Sequence, residues 1–96
     1  MEHFKVNGIW ENADVYQFYN VEEAKQHKTL DNNYPKIVKE FEQLLGKSWV
    51  DEFNNYWQII GLEDNQAWDD YYWIIKFGET IKFLLVNDSR IYKQIV

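Results

Sequence analysis

The side chains of this chain that could do chemistry are mainly carboxylates. The chain has 96 residues, with 16 Asp and Glu, 10 Lys and Arg, two His and no Cys, and its formal net charge is −6. Half of the acids fall between residues 40 and 70, where Lys47 is the single base. These acids are Glu40, Glu42, Asp51, Glu52, Glu63, Asp64, Asp69 and Asp70. We therefore expect a polarised acidic surface.

Some of these carboxylates have ordinary structural explanations. Asp51 and Glu52 fall in the first turn of a helix that we predict from Ser48 to Ile60, where the helix dipole favours negative charge. Glu40 lies four residues after Lys36, a spacing that allows an ion pair on a solvated helix face. These acids therefore carry little information about function.

A predicted loop from Leu62 to Asp70 is less easily explained. Glu63 and Asp64 would follow the end of that helix, where the dipole opposes negative charge. The loop has four acids, no base, and Trp68 at its middle. Aromatic side chains anchor protein interfaces, and charge steers the encounter. The alternative is a buried Trp68 with a hydrated acidic rim. We predict a partner-binding surface made of Glu63, Asp64, Trp68, Asp69, Asp70, Asp51 and Glu52.

Other kinds of chemistry find little support in the sequence. His3 and His27 do not belong to a pair with the spacing of zinc ligands. Ser48 suits a helix cap and Ser89 a turn, so neither indicates a catalytic serine. The glycines form no phosphate-binding loop. We expect no catalytic residue, no metal site and no cofactor.

Direct binding to nucleic acid is also disfavoured. Residues 71–96 combine aromatic side chains with a small excess of bases, as single-strand binders do. The whole chain, however, is acidic and repels phosphate. We expect the aromatic residues to form the core instead.

The pattern of apolar and turn residues predicts one α+β domain over residues 1–96. It has an N-terminal β segment, two to three helices and a C-terminal three-stranded antiparallel meander. The expected early elements are a hairpin at residues 4–10 around Asn7-Gly8, a strand at 15–19, a helix capped by Asn20, and a helix opened by Pro35 and closed at Gly46.

The predicted meander consists of strands at residues 71–77, 80–86 and 90–96. Gly78-Glu79 suits a two-residue type II′ turn, which would place Trp73 opposite Leu84 on one face. Both faces are apolar near the middle, so the N-terminal segments or a partner must cover the second one. If the chain self-associates as a homodimer, we expect the contact to involve Trp73, Leu84, Val86 and Ile91.

These features together favour a non-catalytic acidic protein that inhibits a basic, nucleic-acid-handling protein, with nucleic-acid mimicry as one route. In character it is similar to the anti-CRISPR and anti-restriction proteins of phages. The alternatives are an immunity protein that neutralises a nuclease toxin, and a homo-oligomeric accessory protein of a phage. Without cysteine, an apolar leader or a membrane-spanning run, a cytoplasmic location is expected, which is the host's cytoplasm if a phage encodes the chain.

Overall fold

The computed structural model describes residues 15–96, apart from the side chain of Ser89, so the predicted hairpin at residues 4–10 lies outside the described part. The described chain mixes helices with an antiparallel sheet, as predicted. The strands are β1 Val15–Phe18, β2 Ser48–Val50, β3 Tyr56–Asn65, β4 Asp70–Phe77 and β5 Thr80–Leu85. The helices are α1 Val21–Gln26, α2 Tyr34–Leu44 and a 3-10 helix at Ser89–Gln94.

The long strand β3 is the centre of the sheet. It pairs with β4 on one side, and β5 follows β4 in the order β1-β3-β4-β5. Its other side pairs with β2 near its start and with β1 near its end, both antiparallel. A bulge between Ile59 and Gly61 shifts the register against β4. Because β3 has 10 residues, Tyr56 and Asn65 at its two ends lie far apart.

Both helices form where the sequence predicts them. The side chain of Asn20 accepts a hydrogen bond of 2.8 Å from the backbone N–H of Glu23, which caps α1. Helix α2 has Pro35 in its first turn, where a missing N–H does no harm. Gly46 follows the helix with a φ of +90°, a conformation that glycine adopts without strain.

The predicted third helix at 48–60 is wrong. Ser48–Val50 is a strand, residues 51–55 form a turn with Asn54 at a φ of +66°, and Tyr56 begins β3. The apolar residues of this stretch fit a helical stripe, but aromatic and β-branched side chains also suit a pleated sheet. Here the turn residues Asp51 to Asn55 decide in favour of a hairpin.

The C-terminal hairpin has the predicted register. Trp73 lies opposite Leu84, and Ile74 opposite Phe83. Gly78 has a φ of +58° whereas Glu79 does not have a positive φ, as in the type II′ turn that we predicted. The predicted third strand at 90–96 is wrong, because these residues form the 3-10 helix and leave only an isolated bridge from Ile95 to Trp49. The meander is instead completed by β3.

The main core lies between α2 and one face of the sheet. The rings of Phe41 and Trp73, both fully buried, stack with centroids 6.2 Å apart. Tyr34, Ile37 and Val38 form the rest of the buried face of α2. Within residues 15–96, no helix has the length and apolar character to cross a membrane.

Candidate functional site

The fold divides the acidic stretch between the two ends of β3. Asp51 and Glu52 lie in the turn before this strand, and Asp69 and Asp70 follow it. A strand of 10 residues spans about 30 Å. The predicted partner-binding residues therefore do not form one patch.

The carboxylate of Asp51 accepts hydrogen bonds from other residues of its own turn. Its carboxylate accepts hydrogen bonds from the backbone N–H groups of Phe53 and Asn55 and from the Trp57 indole, at 2.8, 2.9 and 2.9 Å. Desolvation alone would raise the pKa of Asp51, but these hydrogen bonds, with the Asn55 amide, lower it to about 2. We conclude that Asp51 stabilises the turn, while Glu52 beside it is exposed.

The expectation that Glu63 and Asp64 lie in an exposed loop is wrong. They belong to β3, and only 7% and 3% of their surfaces are exposed. Glu63 accepts a hydrogen bond of 2.8 Å from the side-chain amide of Gln17 on β1. No helix ends before these two acids. The unfavourable helix dipole, which was our reason for singling them out, is therefore absent at this position.

The carboxylate of Asp64 holds the imidazole of His27. Oδ2 of Asp64 lies 2.7 Å from Nε2 of His27 and 3.1 Å from the Gln66 amide nitrogen. The His27 ring lies among those of Tyr16 and Tyr34, with centroids 4.6 and 5.3 Å away. Burial, and then the charge of Asp64, raise the pKa of Tyr34. The rings of these tyrosines pack against the pair, and the Gln66 amide adds a hydrogen bond to Asp64.

Asp69 lies in a polar cleft with acids that come from other parts of the chain. We call the space between α2, the β3–β4 turn and the end of β5 the acidic cleft; its volume is about 530 Å³. Of the residues that the structure describes, Asp31, Glu40 and Asp69 line it together with one base, Lys36. The cleft can therefore hold a positively charged group.

Two tyrosines, Tyr71 and Tyr92, also line the acidic cleft. The hydroxyl of Tyr71 donates a hydrogen bond of 2.9 Å to Asp31 Oδ2. Burial raises the pKa of Tyr71, and the hydrogen bond to Asp31 and the charges of Asp64 and Asp31 add to this. Burial also raises the pKa of Tyr92; the hydrogen bond from Trp73 opposes this, and Glu40 adds to it. Both hydroxyls therefore stay protonated beside the carboxylates.

Trp68 adjoins Asp69 in the β3–β4 turn, and 57% of its surface is exposed. Its backbone N–H donates to the carbonyl oxygen and to the side-chain oxygen of Asn65, at 3.3 and 3.2 Å. Asp69 takes a φ of +58°, which an Asp tolerates in a tight turn. The turn thus displays an aromatic ring next to an acid of the cleft.

Asp70 is directed away from this cleft. It lies opposite Asn65, and its charge acts, together with that of Glu63, on the Tyr72 hydroxyl. Asp31 and Glu40 take its place in the cleft. We predicted an ion pair with Lys36 for Glu40 and no partner-binding role for either residue, since their approach to Asp69 arises from the packing of α2 on the sheet. The only sequence signal was the acid itself.

A second groove, of about 660 Å³, lies next to the α1–α2 loop. Its lining mixes Lys25, Lys28 and Lys39 with Asp31 and Glu42. The ammonium of Lys25 lies 3.8 Å from the Glu42 carboxylate. Because its charges are mixed and partly paired, this groove is a weaker candidate for a basic ligand than the acidic cleft.

The residues that we predicted for self-association do not lie on a surface. Trp73, Val86 and Ile91 are buried in the core, with 0%, 5% and 5% of their surfaces exposed. Leu84 is partly buried and packs against the same core. The hairpin register was right, but the face that carries these residues is the one that α2 covers.

The comparisons with known proteins give no family for this fold and cleft. No protein-family model, no curated protein and no solved structure matches the chain.

Proposed function

We propose that the protein is a non-catalytic inhibitor of a basic, nucleic-acid-handling protein, and that it receives a Lys or Arg side chain of that partner in the acidic cleft. The observation that carries this proposal is the meeting of Asp31, Glu40 and Asp69 around one concave space. These residues come from the α1–α2 loop, α2 and the β3–β4 turn.

The chemistry of the cleft suits a guanidinium or ammonium group. Carboxylate oxygens are the preferred acceptors for these donors, and a concave wall reduces the exposure of the ion pair to water. Among the described lining residues, Lys36 is the one base, so the three carboxylates leave a net charge of −2 there. A target that binds phosphates presents just such cationic side chains.

Trp68 supports the same role. It is exposed next to Asp69, and a Trp at the edge of a charged site can stack on a guanidinium or fill an apolar depression of the partner. Asp70 and Glu52 are further acids that would contribute to the approach of a basic surface rather than to the contact itself.

The test is affinity capture with the full chain immobilised, from lysates that contain nucleases, followed by mass spectrometry. The variant Glu40→Gln with Asp69→Asn removes two charges from the cleft, and Asn tolerates the φ of Asp69. The matched control, Glu22→Gln with Glu79→Gln, removes two charges from exposed acids outside the cleft. We expect a basic nuclease or nucleic-acid-binding protein to be retained by the natural chain and the control.

The cleft variant should bind this protein about five- to thirtyfold more weakly, because each partly exposed ion pair contributes up to about 1 kcal/mol. Equal binding by both variants would exclude the cleft. Capture of acidic or neutral proteins alone would contradict the proposed class of partner. A toxin nuclease among the captured proteins would favour the immunity alternative, and a host defence nuclease the anti-defence one.

A further inference from the structure

Strand β5 forms an edge of the described sheet, and its only charged side chain is Lys82, a residue type that can protect such an edge. No described strand lies beyond it in the order β1-β3-β4-β5. Its sequence, Thr80 to Leu85, contains no proline and no acid, and its pairing with β4 has no bulge. Proteins commonly use such devices to prevent the edges of sheets from pairing. Within residues 15–96, this edge is therefore available to another strand.

The pairing with β4 shows which backbone groups face the open side. Directly opposite residues in an antiparallel pair alternate between hydrogen-bonded and non-hydrogen-bonded pairs. The N–H of Val86 donates to the carbonyl of Tyr71 at 2.9 Å, so this pair is hydrogen-bonded. Every second residue back along β5 repeats this pattern, so the backbone groups of Leu84 and Lys82 also form hydrogen bonds with β4. The N–H and C=O groups of the residues between them, Ile81, Phe83 and Leu85, point away from β4.

The same three residues also carry an exposed apolar stripe. Ile81, Phe83 and Leu85 are 44%, 47% and 36% exposed, on the sheet face opposite to α2. Lys82 lies on the other face, with its ammonium 4.9 Å from the Trp57 ring centroid. A strand that added to β5 would thus meet hydrogen-bonding groups and apolar side chains together.

We propose that two copies of the chain pair through β5 in antiparallel orientation, with Phe83 opposite Phe83 of the second copy. The two sheets then form one continuous sheet across a two-fold axis. In this register Ile81 of each copy lies opposite Leu85 of the other. The two apolar stripes join into one, and Ile74, which lies opposite Phe83 within each hairpin, extends the central row on both sides.

The open backbone groups select this register. Pairing must join residues whose backbone groups face outward, and centring on Phe83 joins all three of them in each copy, which gives about six hydrogen bonds. Centring on Leu84 gives about four and leaves Ile81 unpaired. Centring on Lys82 places two like charges directly opposite each other, which is unfavourable.

Charge also makes a second copy a suitable occupant. Each chain has a net charge of −6, so two copies repel each other at most surfaces. Strand β5 contains no acid, so no carboxylates lie opposite each other between the two paired strands. A contact between two six-residue strands buries less than about 1,200 Å², so we expect weak dimerisation, at roughly tens to hundreds of micromolar protein.

The test is sedimentation of the full chain from about 10 μM to 1 mM, combined with amide hydrogen exchange. Phe83→Lys changes an exposed residue of the stripe, and Phe53→Lys, at a side chain that is 76% exposed in the β2–β3 turn, is the matched control. We expect a monomer–dimer equilibrium for the natural chain and the control, and a monomer for Phe83→Lys. At 1 mM protein, exchange should slow about two- to tenfold at Ile81, Phe83 and Leu85, as the fraction of dimer at this affinity requires.

A monomer at 1 mM would overturn the proposal, as would a dimer that Phe83→Lys leaves intact. Slow exchange of these three amides at every concentration in a monomer would mean that the chain itself covers the edge, and this result would also overturn it. A dimer without slower exchange at these amides would place the contact elsewhere.

Discussion

Nε2 of His27 and Oδ2 of Asp64 lie 2.7 Å apart, with only 7% and 5% of the two side chains exposed. His27 is the residue that ends α1, and Asp64 belongs to β3. The contact thus ties the first helix to the central strand. A buried pair of this kind restricts how the two elements can pack, because either group without the other would be costly to bury.

We predict that His27→Ala destabilises the protein by about 3–5 kcal/mol, since it leaves the Asp64 carboxylate buried without its main partner. Urea unfolding followed by Trp fluorescence measures this change. Lys25→Ala, which removes an exposed ion pair with Glu42, serves as the control and should cost at most about 1 kcal/mol. A loss below about 1 kcal/mol for His27→Ala would show that the pair is not a structural requirement.

Gly61 should tolerate no side chain. A Cβ at this position would lie 2.7 Å from the backbone oxygen of Phe18 and 3.1 Å from Cδ1 of Ile74. Because the first of these atoms belongs to the backbone of β1, it cannot easily move away. We expect Gly61→Ala to cost about 1–3 kcal/mol and to accelerate amide exchange in β1. Unchanged exchange in β1 would contradict this account of the close approach.

Asp51 should make stability depend on pH at the acid end. Its pKa is about 2 in the folded chain, below its ordinary value of 3.8, so the unfolded chain binds the proton more readily. The contribution of the ionised Asp51 carboxylate to the stability of the folded chain is present above about pH 4 and is lost as the pH falls towards 2. In Asp51→Asn, the melting temperature should be lower at pH 7 and should fall less steeply over this range. A carboxyl titration midpoint near 4, measured by NMR, would contradict the hydrogen bonding of the turn.

Two buried tryptophans should respond differently to replacement by Phe. The indole N–H of Trp73 donates to the Tyr92 hydroxyl at 3.3 Å, whereas that of Trp49 is buried without a hydrogen-bond partner among the described residues. An unsatisfied buried donor already costs about 1–3 kcal/mol. Trp49→Phe should therefore destabilise the protein less than Trp73→Phe, by at least about 1 kcal/mol in chemical denaturation. An equal loss would mean that the Trp49 indole has found a partner.

Local sequence signals were sufficient for elements whose ends are marked by caps and turns. Asn20 and Gly46 predicted helix ends, and Gly78-Glu79 predicted both the hairpin and its register, because a two-residue turn leaves one way to align its strands. The error at 48–60 has a different origin. Apolar residues there fit both the helical and the strand period, and the outcome depends on the turn at residues 51–55 and on the pairing of β3 with β2 and β4, which local spacing does not show.

The candidate site was only partly predictable for the same reason. Asp69 and Trp68 stood out because their turn is acidic and aromatic, and both lie at the surface. Asp64 was misassigned because its partner, His27, is 37 residues away. Asp31 and Glu40 join Asp69 only after α2 packs on the sheet, and no spacing rule connects them.

The two acidic ends of β3 allow a direct test of the proposed function. The measurement is an NMR titration of the full, ¹⁵N-labelled chain with a six-arginine peptide, with a six-glutamate peptide as the control. We predict saturable shifts at Asp31, Glu40, Trp68 and Asp69 that diminish as salt rises, and much smaller ones at Glu52. Shifts centred on Glu52, or spread evenly over all exposed acids, would contradict the assignment of the acidic cleft as the site that receives a basic partner.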